Sequence, residues 1–211
     1  VEKLEKFMSG KPVAEQEIGY ALLQEVVAYA ETSMSRRKFL LHYFGEEFDS
    51  ETGEGADMDD NVRNPKVKVE AQDNVKKLLE VVRDTKHLYK SKEIIYTLIG
   101  RVNATIKAHR TDTQSFFGCG KDKEEKYWMA LIRQVLVDGL LTKDIETYGI
   151  LKVSDKGHDF IKNPTSFMMS EDHEYNEAED DAIVTAAKSS GTADEALMVM
   201  LRDLRKKVAK K

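Results

Sequence analysis

The sequence predicts a mainly α, α+β protein: a helical hairpin, then three helices and a β-hairpin. Three observations carry this prediction. Apolar residues recur at helical spacing through most of the chain, as in Leu78, Leu79 and Val82 or Leu131, Ile132, Val135 and Leu136. Strand-like runs flanking a short turn occur only between 141 and 153. Of only three prolines, two, Pro65 and Pro164, bracket the middle of the chain, where proline ends elements or marks connections. The expected divisions are therefore 1–65, 66–170 and 171–211.

The first 45 residues hold two helices. One runs from about Ala14 to Glu31 with Ile18, Leu22, Val26 and Tyr29 on a stripe. The other runs from about Met34 to Phe44 with Phe39, Leu40 and Tyr43, and Gly45 stops it. The run from Phe48 to Asn61 is acidic, contains glycines and has almost nothing to bury, so a mobile surface loop is expected. Val75, Leu78, Leu79 and Val82 then form a helical face, and Ser91 can cap a helix carrying Ile94, Ile95, Leu98 and Ile99 that Gly100 ends. A Phe-Phe-Gly-Cys-Gly-Lys-Asp loop from Phe116 to Asp122 leads into an amphipathic helix with Trp128, Leu131, Ile132, Val135 and Leu136, closing at Asp138-Gly139. Leu141 to Ile145 and Ile150 to Val153 flank the turn Glu146-Thr147-Tyr148-Gly149, and a short helix spans Lys156 to Ile161. Three helices and a hairpin make the winged-helix plan. Beyond Pro164, Glu171 to Asp181 is expected to be an acidic linker. Leu197, Met200, Leu201, Leu204 and Val208 then set out an amphipathic helix with no partner in the sequence, as in a piece of something longer.

Charge at first argues against nucleic acid, because 33 basic and 38 acidic residues give a net charge of −5. Its distribution argues the other way. Residues 66–163 hold 19 Lys/Arg against 14 Asp/Glu, whereas residues 1–65 hold 7 against 14 and residues 164–211 hold 7 against 10. The middle is the only basic part. One cysteine, Cys119, excludes an internal disulfide framework, and no apolar run approaches the roughly 20 residues of a membrane span or resembles a signal peptide. A soluble, intracellular, cytoplasmic protein with no membrane partner is expected.

These residues carry a resemblance. Phe117-Gly118-Cys119-Gly120-Lys121-Asp122, Trp128 and Ile132-Arg133-Gln134 resemble, in type and spacing, the RQC winged-helix region of RecQ-family DNA helicases. Upstream, Tyr29-Ala30-Glu31-Thr32, Ser35-Arg36-Arg37-Lys38 and His42-Tyr43-Phe44-Gly45-Glu46 resemble the helical hairpin of that family's zinc-binding subdomain. Downstream, Leu201-Arg202-Asp203-Leu204-Arg205 resembles the first helix of the HRDC domain. The resemblance implies the DNA-binding C-terminal region of a helicase that moves 3′ to 5′, depends on ATP and magnesium, and acts in DNA repair, recombination and replication at the bacterial nucleoid. It implies double-stranded and junction DNA as ligand and the absent helicase lobes of the same chain as partners.

Two departures qualify what is carried over. Where that family holds zinc with four cysteines, this chain has Ser35, Ala56, Asp59 and Val62, and an alanine and a valine donate no lone pair. No zinc is expected, so the hairpin should hold through Leu40, Tyr43 and Phe44 while the loop that zinc would pin stays loose. Asp57, Asp59 and Asp60 do not make an EF-hand, since its sixth position would be Val62 instead of glycine. The second departure is the motor. Gly118-Cys119-Gly120-Lys121-Asp122 lacks the earlier glycine of a phosphate-binding loop and ends in an acid, so no ATPase activity and no cofactor are expected of this chain itself.

A duplex clamp that ignores sequence needs cations and small donors for phosphates. Lys107, Arg110, Ser115, Lys121 and Lys123 offer them, with Arg133 on the Trp128 helix, which takes the place of the recognition helix in a winged-helix plan, and amides at the start of that same helix. At the hairpin tip Tyr148 can stack on a terminal base pair, a contact worth roughly 1–3 kcal/mol. Each has a plainer reading: Lys107 and Arg110 as solvated charges, Tyr148 packed along its strand. Trp128 is expected in the core and Phe117 buried, while nothing in the sequence decides Phe116. Cys119 lacks a neighbouring histidine, and the five histidines show no metal spacing. No catalytic residue is expected. A winged-helix transcription regulator and a protein-docking module share the fold; the former would read bases, for which the recognition helix offers mainly Met129, Ala130 and Arg133.

Overall fold

The structure, a computed structural model, describes residues 2–144, 147, 149–173 and 200. The chain divides into two units, Val1–His173 and Glu174–Lys211, and both the helical hairpin and the winged helix lie in the first. The expected HRDC-like helix lies outside the described residues.

Helix α1 (Glu2–Met8) precedes α2 (Val13–Glu31) and α3 (Arg36–Tyr43). The last two are the expected hairpin, but its packing differs from expectation. Leu23, Ala28 and Phe39 are buried, with Phe39 tilted against Tyr29 at 6.2 Å, whereas Ile18, Leu22, Val26, Leu40, Tyr43 and Phe44 are all exposed. The apolar grip assigned to Leu40, Tyr43 and Phe44 is therefore not what closes the hairpin.

A polar cluster closes it. Ser35 caps α3 by accepting from the Lys38 amide, and its hydroxyl donates to Asp59 at 2.8 Å. Asp59 in turn caps the short α4 (Asp60–Arg63). Asn61 donates to the carbonyls of Thr32 and Met34 at 2.8 and 2.7 Å. The segment expected to hang loose is thus folded onto α3, with Arg37 stacked over Phe48 at 5.1 Å and a 3-10 turn at Ala56–Met58 that buries Ala56. Composition alone missed this because short polar side chains hold a loop by hydrogen bonds without an apolar signature.

The winged helix comes next in the chain. Helices α5 (Gln72–Asp84) and α6 (Ser91–Ile99) open it, and α7 (Ala104–Ala108) makes a single turn. Then come α8 (Glu125–Val137), the antiparallel strands β2 (Leu141–Asp144) and β3 (Ile150–Val153), and α9 (Asp155–Lys162). Strands β1 (Lys68–Glu70) and β4 (Met168–Ser170), which periodicity did not reveal, pair antiparallel with Val69 opposite Met169. Glu70 locks that pair by accepting from the Ser166 hydroxyl and from the Phe167 amide at 2.9 Å. One core serves these elements apart from β1, whose three residues are exposed, with Val75, Leu78, Ile95, Leu98, Trp128, Leu131 and Leu151 fully buried. Burying such side chains contributes roughly 1.5–3 kcal/mol each, which is why their spacing fixes the helix faces.

Ser154 caps α9, accepting from the Gly157 amide at 3.0 Å. Gly157 must be glycine, since a Cβ there would stand 2.2 Å from the Leu140 carbonyl oxygen. Among the described residues no helix is long and apolar enough to cross a membrane.

Candidate nucleic-acid interface

The glycine loop is built by two close approaches. Helix α6 ends at Gly100 in the left-handed region (φ 77°), and Gly118, also left-handed (φ 76°), passes so near that a Cβ on Gly100 would lie 3.3 Å from the Gly118 Cα. Side chains on either would push the two backbones apart. The Gly118 and Gly120 amides donate to the Thr97 and Leu98 carbonyls, both at 2.8 Å. These are carbonyls of the last turn of α6, which the helix itself cannot satisfy. Fully buried Trp128 completes the lock, its indole N–H donating to the Gly120 carbonyl at 2.9 Å. The loop is therefore a rigid bracket between α6 and α8. Phe116 and Phe117 are both half-buried against the core, so Phe117 is less enclosed than expected.

This bracket presents Lys121 and Lys123 to solvent. Lys123 sits over the Tyr127 ring at 5.0 Å, and Asn74 donates to the Tyr127 hydroxyl at 2.8 Å. Burial pushes the Tyr127 hydroxyl pKa up, so it stays neutral. Asp122 leans toward Lys77, 3.8 Å away. On the neighbouring side, Asn103 caps α7 by accepting from the Ile106 amide at 2.8 Å, and buried Ile106 anchors that turn to the core. Lys107, Arg110 and Ser115 are exposed beyond it, with Arg110 itself in the left-handed region (φ 54°). The next residue, Thr111, is buried and bonded to the Tyr89 hydroxyl, which fixes where Arg110 emerges. Five of the expected residues thus lie exposed on two segments fastened to the core.

Arg133 does not join them. Its side chain is only 10% exposed and its guanidinium pairs with Glu31 at 2.9 Å and with Asp172. Burial, only partly offset by Arg133, pushes the Asp172 carboxyl pKa above its ordinary value. Expected to reach DNA, Arg133 is instead a tie between α8, the end of α2 and the segment after β4. Sequence reading also passed over Arg101, the residue after Gly100. It stacks over Tyr96 at 5.1 Å and pairs with Glu125 at 3.2 Å. An arginine directly after a helix-ending glycine was the available signal.

In the wing, Thr142 stands opposite Lys152 and Asp144 opposite Ile150. Lys152 bonds the Asp144 carboxylate at 2.6 Å and holds its pKa below the usual value. Leu151 donates its amide to the Tyr89 carbonyl at 3.0 Å, and Lys143 pairs with Glu25 of α2, so the wing base is fixed on both sides. Tyr148, the expected stacking residue, lies outside the described residues. Cys119 has its thiol pKa pushed up by burial, which keeps it protonated and a poor nucleophile.

Comparison with known families places this geometry. Residues 65–178 match the family model of the RQC domain. The chain belongs to the RQC family. Residues 1–61 match the family model described as RecQ zinc-binding. Among curated proteins, the chain is similar to one named ATP-dependent DNA helicase RecQ from Pasteurella multocida, 24% identical over 99% of this chain and 32% of that protein. It is also similar to one of the same name from Haemophilus influenzae, 27% identical over 67% of this chain and 22% of that protein. The chain spans about a third or less of the length of the curated relatives it matches.

The zinc-binding match raises a test that the side chains answer. At the four positions carried over for zinc, Ser35 donates its proton to Asp59, Asp59 already accepts from three donors, and Ala56 and Val62 have no lone pair to give. These residues do not fit zinc. Among the described residues no three His, Cys, Asp or Glu side chains converge as a metal needs. ATP is a similar case. The Gly118 and Gly120 amides, which a phosphate-binding loop would offer to its ligand, are already committed to α6.

Proposed function

We propose that this chain is the DNA-gripping region of a RecQ-type, ATP-dependent 3′–5′ DNA helicase working in repair, recombination and replication in the bacterial cytoplasm. The observation that carries the proposal is the rigid bracket, which holds Lys121 and Lys123 in solvent, together with the anchored turn on which Lys107, Arg110 and Ser115 are exposed. Cations fixed in this way contact phosphates of either strand without reading bases, so affinity comes from counterion release and falls steeply with salt. ATP and magnesium drive strand movement when bound, and their sites lie in helicase lobes outside this chain.

In this reading residues 66–170 hold the parental duplex while the motor draws one strand away, so the junction stays at the wing. Tyr148, which falls between β2 and β3 in the sequence, stacks on the terminal base pair in this reading and captures fraying. Lys143 and Leu151 brace the wing from α2 and from Tyr89, which keeps a wedge from folding back under load. Arg101 extends the cationic edge past Gly100.

The test is a titration of forked, blunt and single-stranded DNA at two salt concentrations. Preference for the fork over single strands, weakening with salt, supports the proposal. Dependence on base sequence points to a transcription regulator, and no binding to any DNA points to a protein-docking module.

A further inference from the structure

We propose that the buried hydrogen-bond knot of Ser35, Asp59 and Asn61 does in this chain the fastening that a metal does in a zinc-binding subdomain, and extends it through His173 to the winged helix. Ser35 and Asp59 stand at two of the four positions that the resemblance assigns to zinc. Instead of flanking a cation, they touch. The Ser35 hydroxyl donates to Asp59 Oδ2 at 2.8 Å, and the Arg37 amide donates to the same oxygen at 3.0 Å. The Asn61 amide donates to Asp59 Oδ1 at 3.0 Å. Ser35, Asp59 and Asn61 are 7%, 8% and 6% exposed, so each bond is made where water competes poorly. Ala56, at a third position, is 5% exposed and fills its place with a methyl group. A charged acceptor with three donors joins segments 24 residues apart, the constraint a metal would supply.

The knot reaches further than the hairpin. Both Asn61 amide hydrogens go to the carbonyls of Thr32 and Met34, so its Oδ1 is the acceptor and His173 Nε2, 2.8 Å away, is the donor. The His173 amide also donates to the Glu31 carbonyl at 2.8 Å. Three residues earlier, Ser170 exchanges bonds with Gln134 of α8 in both directions and meets the Ser33 hydroxyl at 2.8 Å. The strap after β4 therefore binds the knot on one side and the recognition helix on the other. With the knot formed, the hairpin and the winged helix share one buried polar seam.

The test measures zinc content and thermal unfolding of the whole chain, with and without a chelator, beside amide exchange. Wild type should purify without stoichiometric zinc and melt at the same temperature with chelator present. Stoichiometric zinc, or a chelator-sensitive melt, overturns the proposal. Asp59→Asn, and the milder Ser35→Ala should the first fail to fold, should speed exchange at Arg37, Asn61 and His173 by about tenfold or more while leaving the α5 and α6 amides protected. Unchanged exchange at these three amides overturns it. Ser35→Cys, Ala56→Cys, Asp59→Cys and Val62→Cys combined should bind one zinc and become chelator-sensitive. Failure of that variant to take zinc overturns the claim that the knot stands in the metal's place.

Discussion

Replacing Gly120 by alanine tests the bracket that presents the candidate phosphate-binding lysines. A Cβ on Gly120 would lie 2.4 Å from Trp128 Cζ2, 2.9 Å from its Cε2 and 3.2 Å from the Leu98 Cβ. Carbon atoms rest at about 3.5–4.0 Å, so the indole or the loop must retreat by roughly an ångström. The indole is fully buried and cannot retreat freely. Overpacking of this kind costs about 1–3 kcal/mol, and loosening the 2.9 Å bond from the indole N–H to the Gly120 carbonyl costs about 1 kcal/mol more. The sum is about 3 kcal/mol. In a unit of this size each kcal/mol moves Tm by roughly 2–4 °C, so a fall of about 6–12 °C is expected by differential scanning fluorimetry or calorimetry. Gly10→Ala is the control, because nothing lies within 4 Å of its would-be Cβ, and it should stay within about 0.5 kcal/mol of wild type. If Gly120→Ala melts no lower than Gly10→Ala, the close approach to Trp128 is not holding the loop.

Arg133→Met should destabilise the fold by about 3 kcal/mol in urea unfolding. That is the low end for breaking a buried ion pair, because Glu31 is 41% exposed and can turn to water. The salt dependence of DNA binding should stay unchanged, and a shallower dependence would return Arg133 to the DNA contacts. Hydrogen bonds from Ser166, Phe167 and Gln72 hold the Glu70 carboxyl pKa below its ordinary value of 4.5. The β1–β4 clasp should therefore be at full strength above that value and weaken as pH falls through the lowered one. Exchange at the Phe167 amide across an acid titration reads this out, and Glu70→Gln should abolish the dependence.

Much of the fold was legible because helix packing leaves a periodic trace. The faces of α5, α6 and α8 are the apolar positions read from the sequence, and Gly100 and Gly139 close their helices as expected. Strands β1 and β4 left no such trace, since each has three residues and Lys68 pairs with Ser170 across a hundred positions. Periodicity also says that a helix has an apolar face without saying what covers it. The stripe of Ile18, Leu22 and Val26 is real on α2, yet within this unit Leu23 and Ala28 are what is buried. The polar features were the least legible. Hydrogen bonds from Ser35 to Asp59 and ion pairs from Arg133 to partners 39 and 102 residues away have no local signature. An arginine on a recognition helix looks the same in sequence whether it faces DNA or a buried carboxylate. Gly118 and Gly120, by contrast, announced a loop, and the structure supplied what it packs against.

The central claim is that fixed cations on the anchored turn and the glycine bracket grip duplex DNA through its phosphates. Its most direct test compares wild type with Lys107→Ala, Arg110→Ala, Lys121→Ala and Lys123→Ala combined, by fluorescence anisotropy on one forked duplex over a series of salt concentrations. Each phosphate contact contributes about 0.9 to the slope of log affinity against log salt, so the fourfold variant should be shallower by roughly 3–4, with its melting temperature unchanged. A slope equal to that of wild type would contradict the account and place the grip elsewhere on the molecule.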